Sequence, residues 1–183
     1  MIGRELKRIL QKPTAFVCIV VYMGIMILGV ESDLRARYEI GFLNLFWVTE
    51  NFGVTIFIQT LIFPVAAAGN YFDERKGHYD WLIQMRSGQL RYCIAKIVSA
   101  VLGGIILYMI SVILFFAVCV IFIPEVRHGS TVESITNLFQ SKECFWYRMA
   151  LSIGYYPTVI VLAFQYSLHI GIYVLLGLCV SVF

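Results

Sequence analysis

The residues FDERKGHYDWLI, numbers 72–83, form the charged centre of a chain that is otherwise strongly apolar. The chain has 183 residues, of which 60% are hydrophobic and 14% charged. Soluble domains contain about 45–50% apolar and about 25% charged residues, so this composition is typical of a lipid-embedded protein. Long apolar runs lie on both sides of the charged block. We therefore interpret residues 72–96 as a cytosolic segment between two membrane-embedded parts of the chain.

Four long intervals contain no Asp, Glu, Lys or Arg. They are residues 13–30, 51–72, 97–124 and 149–183. Each reaches or exceeds the ~18 residues of a spanning candidate, and a charge inside the bilayer is costly. The sequence therefore predicts an all-α fold, a polytopic transmembrane helical bundle that forms a single transmembrane domain over 1–183. The predicted spans are 14–30, 52–70, 97–123 and about 158–183. A break at Tyr155-Tyr156-Pro157 is expected to separate the last span from a short outer segment.

The basic residues are concentrated on one side of these spans. Nine of them precede the first span or lie between the second and third, and five lie in the other two connections. The positive-inside rule then places the N-terminus and the 72–96 segment in the cytosol. The acidic connection 31–50, which includes Glu50, is expected to face outward. We expect a multi-pass protein of the plasma membrane, and a net charge of +3 is too small to indicate a nucleic-acid partner.

Residues 1–12 have the pattern of an amphipathic helix. Ile2, Leu6 and Ile9 share one face, basic residues take the other, and Pro13 ends the helix. Such a helix lies in the membrane interface, with its cations near anionic headgroups, so the lipid bilayer is an expected partner. A signal peptide is the alternative, disfavoured because no A-x-A-like cleavage site follows. The basic residues assigned to membrane anchoring are Arg4, Lys7, Arg8, Lys12 and, at the start of the third span, Lys96.

The sequence predicts no catalytic or metal-binding residue. Its three histidines, His78, His128 and His169, are far apart and have no metal-ligand spacing. A phosphate-binding G-x-x-x-x-G-K-[ST] loop is missing from the sequence, so we expect neither an enzyme nor a cofactor in this chain.

Some residues within the spans bear on substrate passage and helix packing. Gln59, Gln165 and His169 are candidates for a substrate pathway, and the alternative is that they form hydrogen bonds between helices. Pro64, just before three alanines, and the pair Gly103-Gly104 predict close approach of neighbouring helices. A tolerated proline near a helix end is the alternative for Pro64.

The charged block itself contains a short amphipathic pattern. Tyr79, Leu82 and Ile83 fall at helical spacing after Gly77, which predicts a cytosolic helix with bulky apolar side chains. Such a helix either floats in the interface or plugs a groove on another protein. The residues assigned to partner docking are Asp73, Glu74, Gly77, Tyr79, Trp81, Leu82, Ile83 and Arg86.

This order of features resembles the membrane subunit of ATP-binding cassette exporters with the type-2 permease fold. That family has an acidic residue four before a glycine, a leucine pair five and six after it, and a lysine nineteen after it. The matching residues here are Asp73, Gly77, Leu82-Ile83 and Lys96. His78 and Arg86 stand where the family often has threonine and proline, and the family normally has six spans. The resemblance covers residues 1 to about 123 and continues more weakly to 183.

The resemblance implies a transmembrane permease subunit of an ATP-driven exporter. Residues 72–96 then include the coupling helix that docks on a separate ATP-binding cassette ATPase subunit, which carries the ATP and Mg. A second permease subunit, identical or different, completes the transport path. Because only four spans are predicted, we expect the chain to be part of a longer subunit. The alternative is a non-transporting membrane scaffold or accessory protein that recruits a cytosolic partner through the same helix. The substrate is not predicted, because a fold does not determine it.

Overall fold

The structure, a computed structural model, describes residues 2–35, 46, 49–50, 53–76, 88–122 and 145–182. All elements within these ranges are α-helices, which confirms the predicted all-α class. They are α1 (Ile2–Leu10), α2 (Pro13–Arg35), α3 (Gly53–Lys76), α4 (Gln89–Phe122), α5 (Phe145–Ile153) and α6 (Tyr155–Val182). Three further residues, Phe46, Thr49 and Glu50, are also helical.

Three of the helices are long and apolar enough to cross a membrane. The spanning stretches are Pro13–Val30, Leu90–Phe122 and Tyr156–Cys179, which correspond to the first, third and fourth predicted spans. Helix α3 covers most of the predicted second span, but its apolar part, Val54–Ala67, is only about 20 Å long at 1.5 Å per residue. That is less than the ~30 Å hydrocarbon core, so the second span stays a prediction.

Most of the apolar surface of these spans faces away from the chain itself. In an apolar 18-residue part of each of the three stretches, only 33%, 33% and 39% of the residues are buried. Large apolar side chains such as Phe16, Val65 and Leu90 are 69%, 70% and 79% exposed. A surface of this kind has to be covered by lipid or by another protein, as in a membrane protein.

The junction between α1 and α2 lies where proline was expected to end the first helix. Helix α1 ends at Leu10, and Pro13 is the first residue of α2. Proline suits the first position of a helix because its fixed φ is helical. An N–H group at this position would have no acceptor within the helix, so the lack of one costs nothing. The Ala15 N–H donates to the Lys12 carbonyl at 3.0 Å and begins the new helix.

Helix α4 begins earlier than the predicted third span. It starts at Gln89 and contains both Arg91 and Lys96 within its first turns. Gly88 precedes it with φ of +80°, a left-handed conformation that glycine adopts without steric cost. The spanning stretch of 33 residues is about 50 Å long, so it exceeds the hydrocarbon core and either tilts or protrudes.

The break in the last apolar run lies at Gly154, one residue before the predicted Tyr155-Tyr156-Pro157 cluster. Gly154 has φ of +101°, which separates α5 from α6. Pro157 lies in the first turn of α6, where proline is tolerated. The Thr158 hydroxyl donates to the Gly154 carbonyl at 2.8 Å and stabilises this start.

The chain divides into two compact units, to which α2, α3, α4 and α6 each contribute residues. The first unit comprises Met1–Val21, Ile58–Ile110 and Tyr166–Phe183. The second comprises Tyr22–Phe57 and Ser111–Gln165.

In the first unit, glycines allow helices to pack closely. A Cβ atom at Gly104 of α4 would stand 2.7 Å from Val174 Cγ2 of α6. A Cβ atom at Gly177 of α6 would stand 2.9 Å from the Cβ of Pro64 in α3. These contacts confirm the close helix packing predicted at Pro64 and at the Gly103-Gly104 pair.

In the second unit, aromatic and polar groups are packed together. The rings of Phe46 and Phe116 lie 5.6 Å apart between centroids, and Tyr22 and Met26 of α2 are fully buried. Gly29 lets Thr49 approach α2, since a Cβ at Gly29 would lie 3.4 Å from Thr49 Cγ2. Thr49 is therefore packed against α2 within this unit.

Candidate functional site

Helix α1 contacts α4 through one apolar side chain and one glycine. Ile9 is 2% exposed, whereas the other apolar residues of α1 are half-buried or exposed. A Cβ atom at Gly103 would lie 3.1 Å from Ile9 Cγ2. The absence of a side chain at Gly103 therefore allows α1 to lie directly on α4.

A buried ion pair joins the same two helices. Glu5 is one turn before Ile9, and Lys96 is two turns before Gly103, so each residue shares a helix face with the apolar contact. The Lys96 Nζ donates to the Glu5 carboxylate Oε2. The two side chains are only 8% and 13% exposed, respectively. Helix α1 is thus held on α4 by an ionic contact and an apolar contact, about 10 Å apart along α4.

The surroundings of this pair are small or apolar. A narrow space around it is lined by Ala67 of α3, Leu178 of α6 and two small residues of α4, Ser99 and Ala100. The Lys96 Nζ also lies 5.7 Å from the Tyr92 ring centroid, within the range of a cation–π contact. Each charge has lost most of its water, so each depends on the other to offset its desolvation.

The remaining basic residues assigned to membrane anchoring have a different environment from Lys96. Arg4, Lys7 and Arg8 are exposed on α1, and Lys12 is half-buried in the turn before α2. Lys96 instead points inward, where Glu5 holds it.

A second polar contact lies in the other unit. The Tyr22 hydroxyl donates to Glu50 Oε1 at 2.7 Å, and both residues are 0% exposed. Glu50 was expected in an outward-facing acidic connection, but it is helical and enclosed. The hydrogen bond offsets part of the large cost of burying a carboxyl group.

The three candidate pathway residues do not share one environment. Gln59 is 4% exposed, whereas Gln165 and His169 are exposed and lie one helical turn apart on α6. Both α6 residues are within three positions of the middle of the Tyr156–Cys179 stretch. His169 packs beside Tyr166 in an edge-on arrangement, with ring centroids 6.2 Å apart.

The predicted docking segment is only partly covered by the structure. Asp73 and Glu74 are helical residues near the end of α3, which extends to Lys76. The other assigned residues lie outside the described residues; they are Gly77, Tyr79, Trp81, Leu82, Ile83 and Arg86. Helix α4 starts directly after this segment, and Lys96 lies within its second turn.

Sequence reasoning did not single out Glu5 or Tyr22, although both carry a weak signal. Glu5 is the one acidic residue in a basic helix, and it shares a face with Ile9. Tyr22 is a hydroxyl-bearing residue in the middle of an apolar span. Their partners are 91 and 28 residues away in the sequence, a separation that helical periodicity cannot bridge.

Comparisons with known proteins identify no relative of this chain. No protein-family model matches the sequence, no curated protein is similar to it, and no solved structure matches the fold.

Proposed function

We propose that this chain is the permease subunit of an ATP-driven exporter of the ATP-binding cassette class. In this proposal a separate ATPase subunit binds residues 77–88, and its ATP-driven closure moves the membrane helices. The chain itself hydrolyses nothing. ATP and Mg are bound by the partner, and the permease converts the partner's motion into substrate movement across the plasma membrane.

The observation that carries the proposal is the Glu5–Lys96 pair at the start of α4. Lys96 is the lysine of the sequence pattern shared with the permease family, and it lies about 10 Å along α4 from Gln89. A displacement of the preceding cytosolic segment acts first on this end of α4. Because Glu5 and Ile9 hold α1 against this end of α4, the two helices would move together as one rigid body. An interfacial helix fixed in this way supports a mechanical role for α1.

The polar residues of α6 support the presence of a second permease subunit. Gln165 and His169 are exposed on this chain near the middle of an apolar span. Polar and ionisable side chains at this depth face a protein interior or a water-filled cavity far more often than lipid. A second subunit, identical or different, would cover this face and place both residues beside the transport path.

The experiment that tests the proposal changes the apolar face of the predicted coupling helix. Tyr79→Glu and Leu82→Glu should each abolish co-purification of the ATPase, because a charge in the docking groove would be buried without a partner. Gln84→Glu is the matched control, since it adds the same charge two positions after Leu82 but off the predicted apolar face. All three variants should be recovered from the membrane fraction at the wild-type level.

A different pattern of results would reject the proposal. If Leu82→Glu retains as much ATPase as the wild type while inserting normally, residues 77–88 are not the docking element. A second measurement places one spin label on α4 and another on the corresponding helix of the second subunit. If the ATPase binds but the distance between these labels does not change when ATP and vanadate are added, the scaffold alternative is favoured.

A further inference from the structure

An open groove runs between α2 and α3 in the first unit. Its volume is about 420 Å³. Almost all of its lining is apolar, and both helices contribute to it along its length. The principal lining residues are Pro13, Val17 and Val21 of α2 and Leu61, Val65 and Ala66 of α3.

The groove begins at the basic corner of the chain. Pro13 lines it, and Lys12 is the residue immediately before Pro13. Helix α1, which leads into this corner, has an exposed basic face formed by Arg4, Lys7 and Arg8. Its one acidic residue, Glu5, is already engaged by Lys96. The apolar groove between α2 and α3 therefore begins beside an excess of positive charge.

We propose that this groove binds an anionic phospholipid. One acyl chain lies between α2 and α3, and the phosphate lies at the α1–α2 corner beside Lys12. The almost entirely apolar lining disfavours a polar occupant, because it would replace few of that occupant's hydrogen bonds to water. The positive corner selects a negative headgroup, as clusters of Lys and Arg at a membrane surface do. The ligand is thus an amphiphile. Its acyl chain matches the apolar groove, and its negative headgroup matches the basic α1–α2 corner.

The size of the groove favours an acyl chain over another helix. From Pro13 to Val21, α2 rises by about 12 Å. A helix about 10 Å in diameter that followed this length would occupy about 900 Å³, so the groove could not enclose it fully. A single hydrocarbon chain is much thinner and can follow the groove without displacing either wall. This site does not depend on an ATPase partner and goes beyond the permease proposal.

The test uses two photoactivatable lipids with the same diazirine-bearing acyl chain. One is a phosphatidylglycerol and the other a phosphatidylcholine, and the full chain is reconstituted with each in nanodiscs. Labelled peptides are located by mass spectrometry. We expect phosphatidylglycerol to label the 13–21 and 61–66 stretches in preference to phosphatidylcholine. Lys12→Gln should lower that preference about fivefold, the effect of one basic residue at a membrane surface.

A second set of variants fills the groove without disturbing the buried core. Val17 and Val65 are 57% and 70% exposed, so Val17→Trp and Val65→Trp have room for the larger side chain. Leu176 on α6 is 57% exposed outside the groove, and Leu176→Trp is the matched control. The two groove variants should reduce labelling of both stretches to the level found elsewhere on the spans, and the control should leave it unchanged.

Three results would overturn the site. Equal labelling by the two lipids would mean that the groove holds only unselected bulk lipid. Labelling that Val17→Trp does not reduce would place the bound chain elsewhere. A disulfide between two copies of a Val17→Cys variant in native membranes would show that a second copy of the chain, rather than lipid, covers this face.

Discussion

Replacing Lys96 with methionine should destabilise the chain far more than any exposed basic residue. Methionine retains a similar apolar volume but removes the charge, so the Glu5 carboxylate is left buried beside Ala67 and Leu178. The paired side chains are only 8% and 13% exposed, which places them with buried rather than surface ion pairs. Breaking a buried pair from one side costs about 3–5 kcal/mol, compared with at most about 1 kcal/mol at the surface.

The double variant is the informative partner in this experiment. When Glu5 is also replaced by methionine, no uncompensated charge remains and two apolar side chains fill the space. Buried ion pairs replaced by apolar residues of similar volume are often neutral or more stable. We therefore expect Glu5→Met with Lys96→Met to regain most of the stability that Lys96→Met loses.

The free energy of unfolding is measured by titration with sodium dodecyl sulfate in mixed micelles, followed by helical circular dichroism. Arg91→Met is the control, because Arg91 is an exposed basic residue on the same helix and should change stability by at most about 0.5 kcal/mol. The reasoning is refuted if Lys96→Met costs no more than Arg91→Met, or if the double variant is no more stable than Lys96→Met alone.

Two further predictions use the same unfolding measurement. Gly104→Ala should cost about 1–3 kcal/mol, because its new Cβ would stand 2.7 Å from a side-chain methyl of α6. Gly24→Ala meets nothing within 4 Å and should be neutral or stabilising by up to about 1 kcal/mol, so equal effects at the two glycines would contradict the packing described. Tyr22→Phe removes the hydroxyl that donates to Glu50 and should cost about 1–3 kcal/mol. The half-buried Tyr173 provides its control, and a Tyr22→Phe variant as stable as Tyr173→Phe would show that this hydrogen bond contributes nothing.

The sequence predicts the long apolar helices well because the physical signal is strong and local. A run of eighteen or more residues without charge is rare outside membranes, and the runs at 13–30 and 97–124 contain most of two helical stretches that are long and apolar enough to cross a membrane. The close contacts at Pro64 and Gly103 were also predictable, since small residues mark helix interfaces in membranes. These features depend on residue type and spacing alone.

The buried polar contacts depend on long-range packing and could not be predicted in the same way. Lys96 looked like an anchor at the edge of a span, because its neutralising partner Glu5 is far away in the sequence. Glu50 ends the acidic 31–50 connection and was expected to face outward, whereas it is buried and accepts a hydrogen bond from the Tyr22 hydroxyl. Charge pattern alone does not distinguish a solvated carboxylate from one that a distant side chain satisfies.

The break in the final run shows two local rules in competition. Tyr155-Tyr156-Pro157 carries the more visible signal, since proline commonly ends a helix. Proline is nevertheless accepted in a first turn, and Gly154 one position earlier adopts the left-handed conformation that other residues rarely tolerate. The helix therefore restarts just before the proline rather than after it.

The permease proposal is tested most directly by isolating the chain from its native membrane with whatever it binds. A tagged full-length subunit, expressed with its genomic neighbours, is extracted in mild detergent and assayed for vanadate-sensitive ATP hydrolysis. The account predicts that an ATP-binding cassette ATPase co-elutes with the chain, together with a second permease subunit, and that Leu82→Glu releases the ATPase. A well-folded chain that never retains an ATPase under these conditions would contradict it.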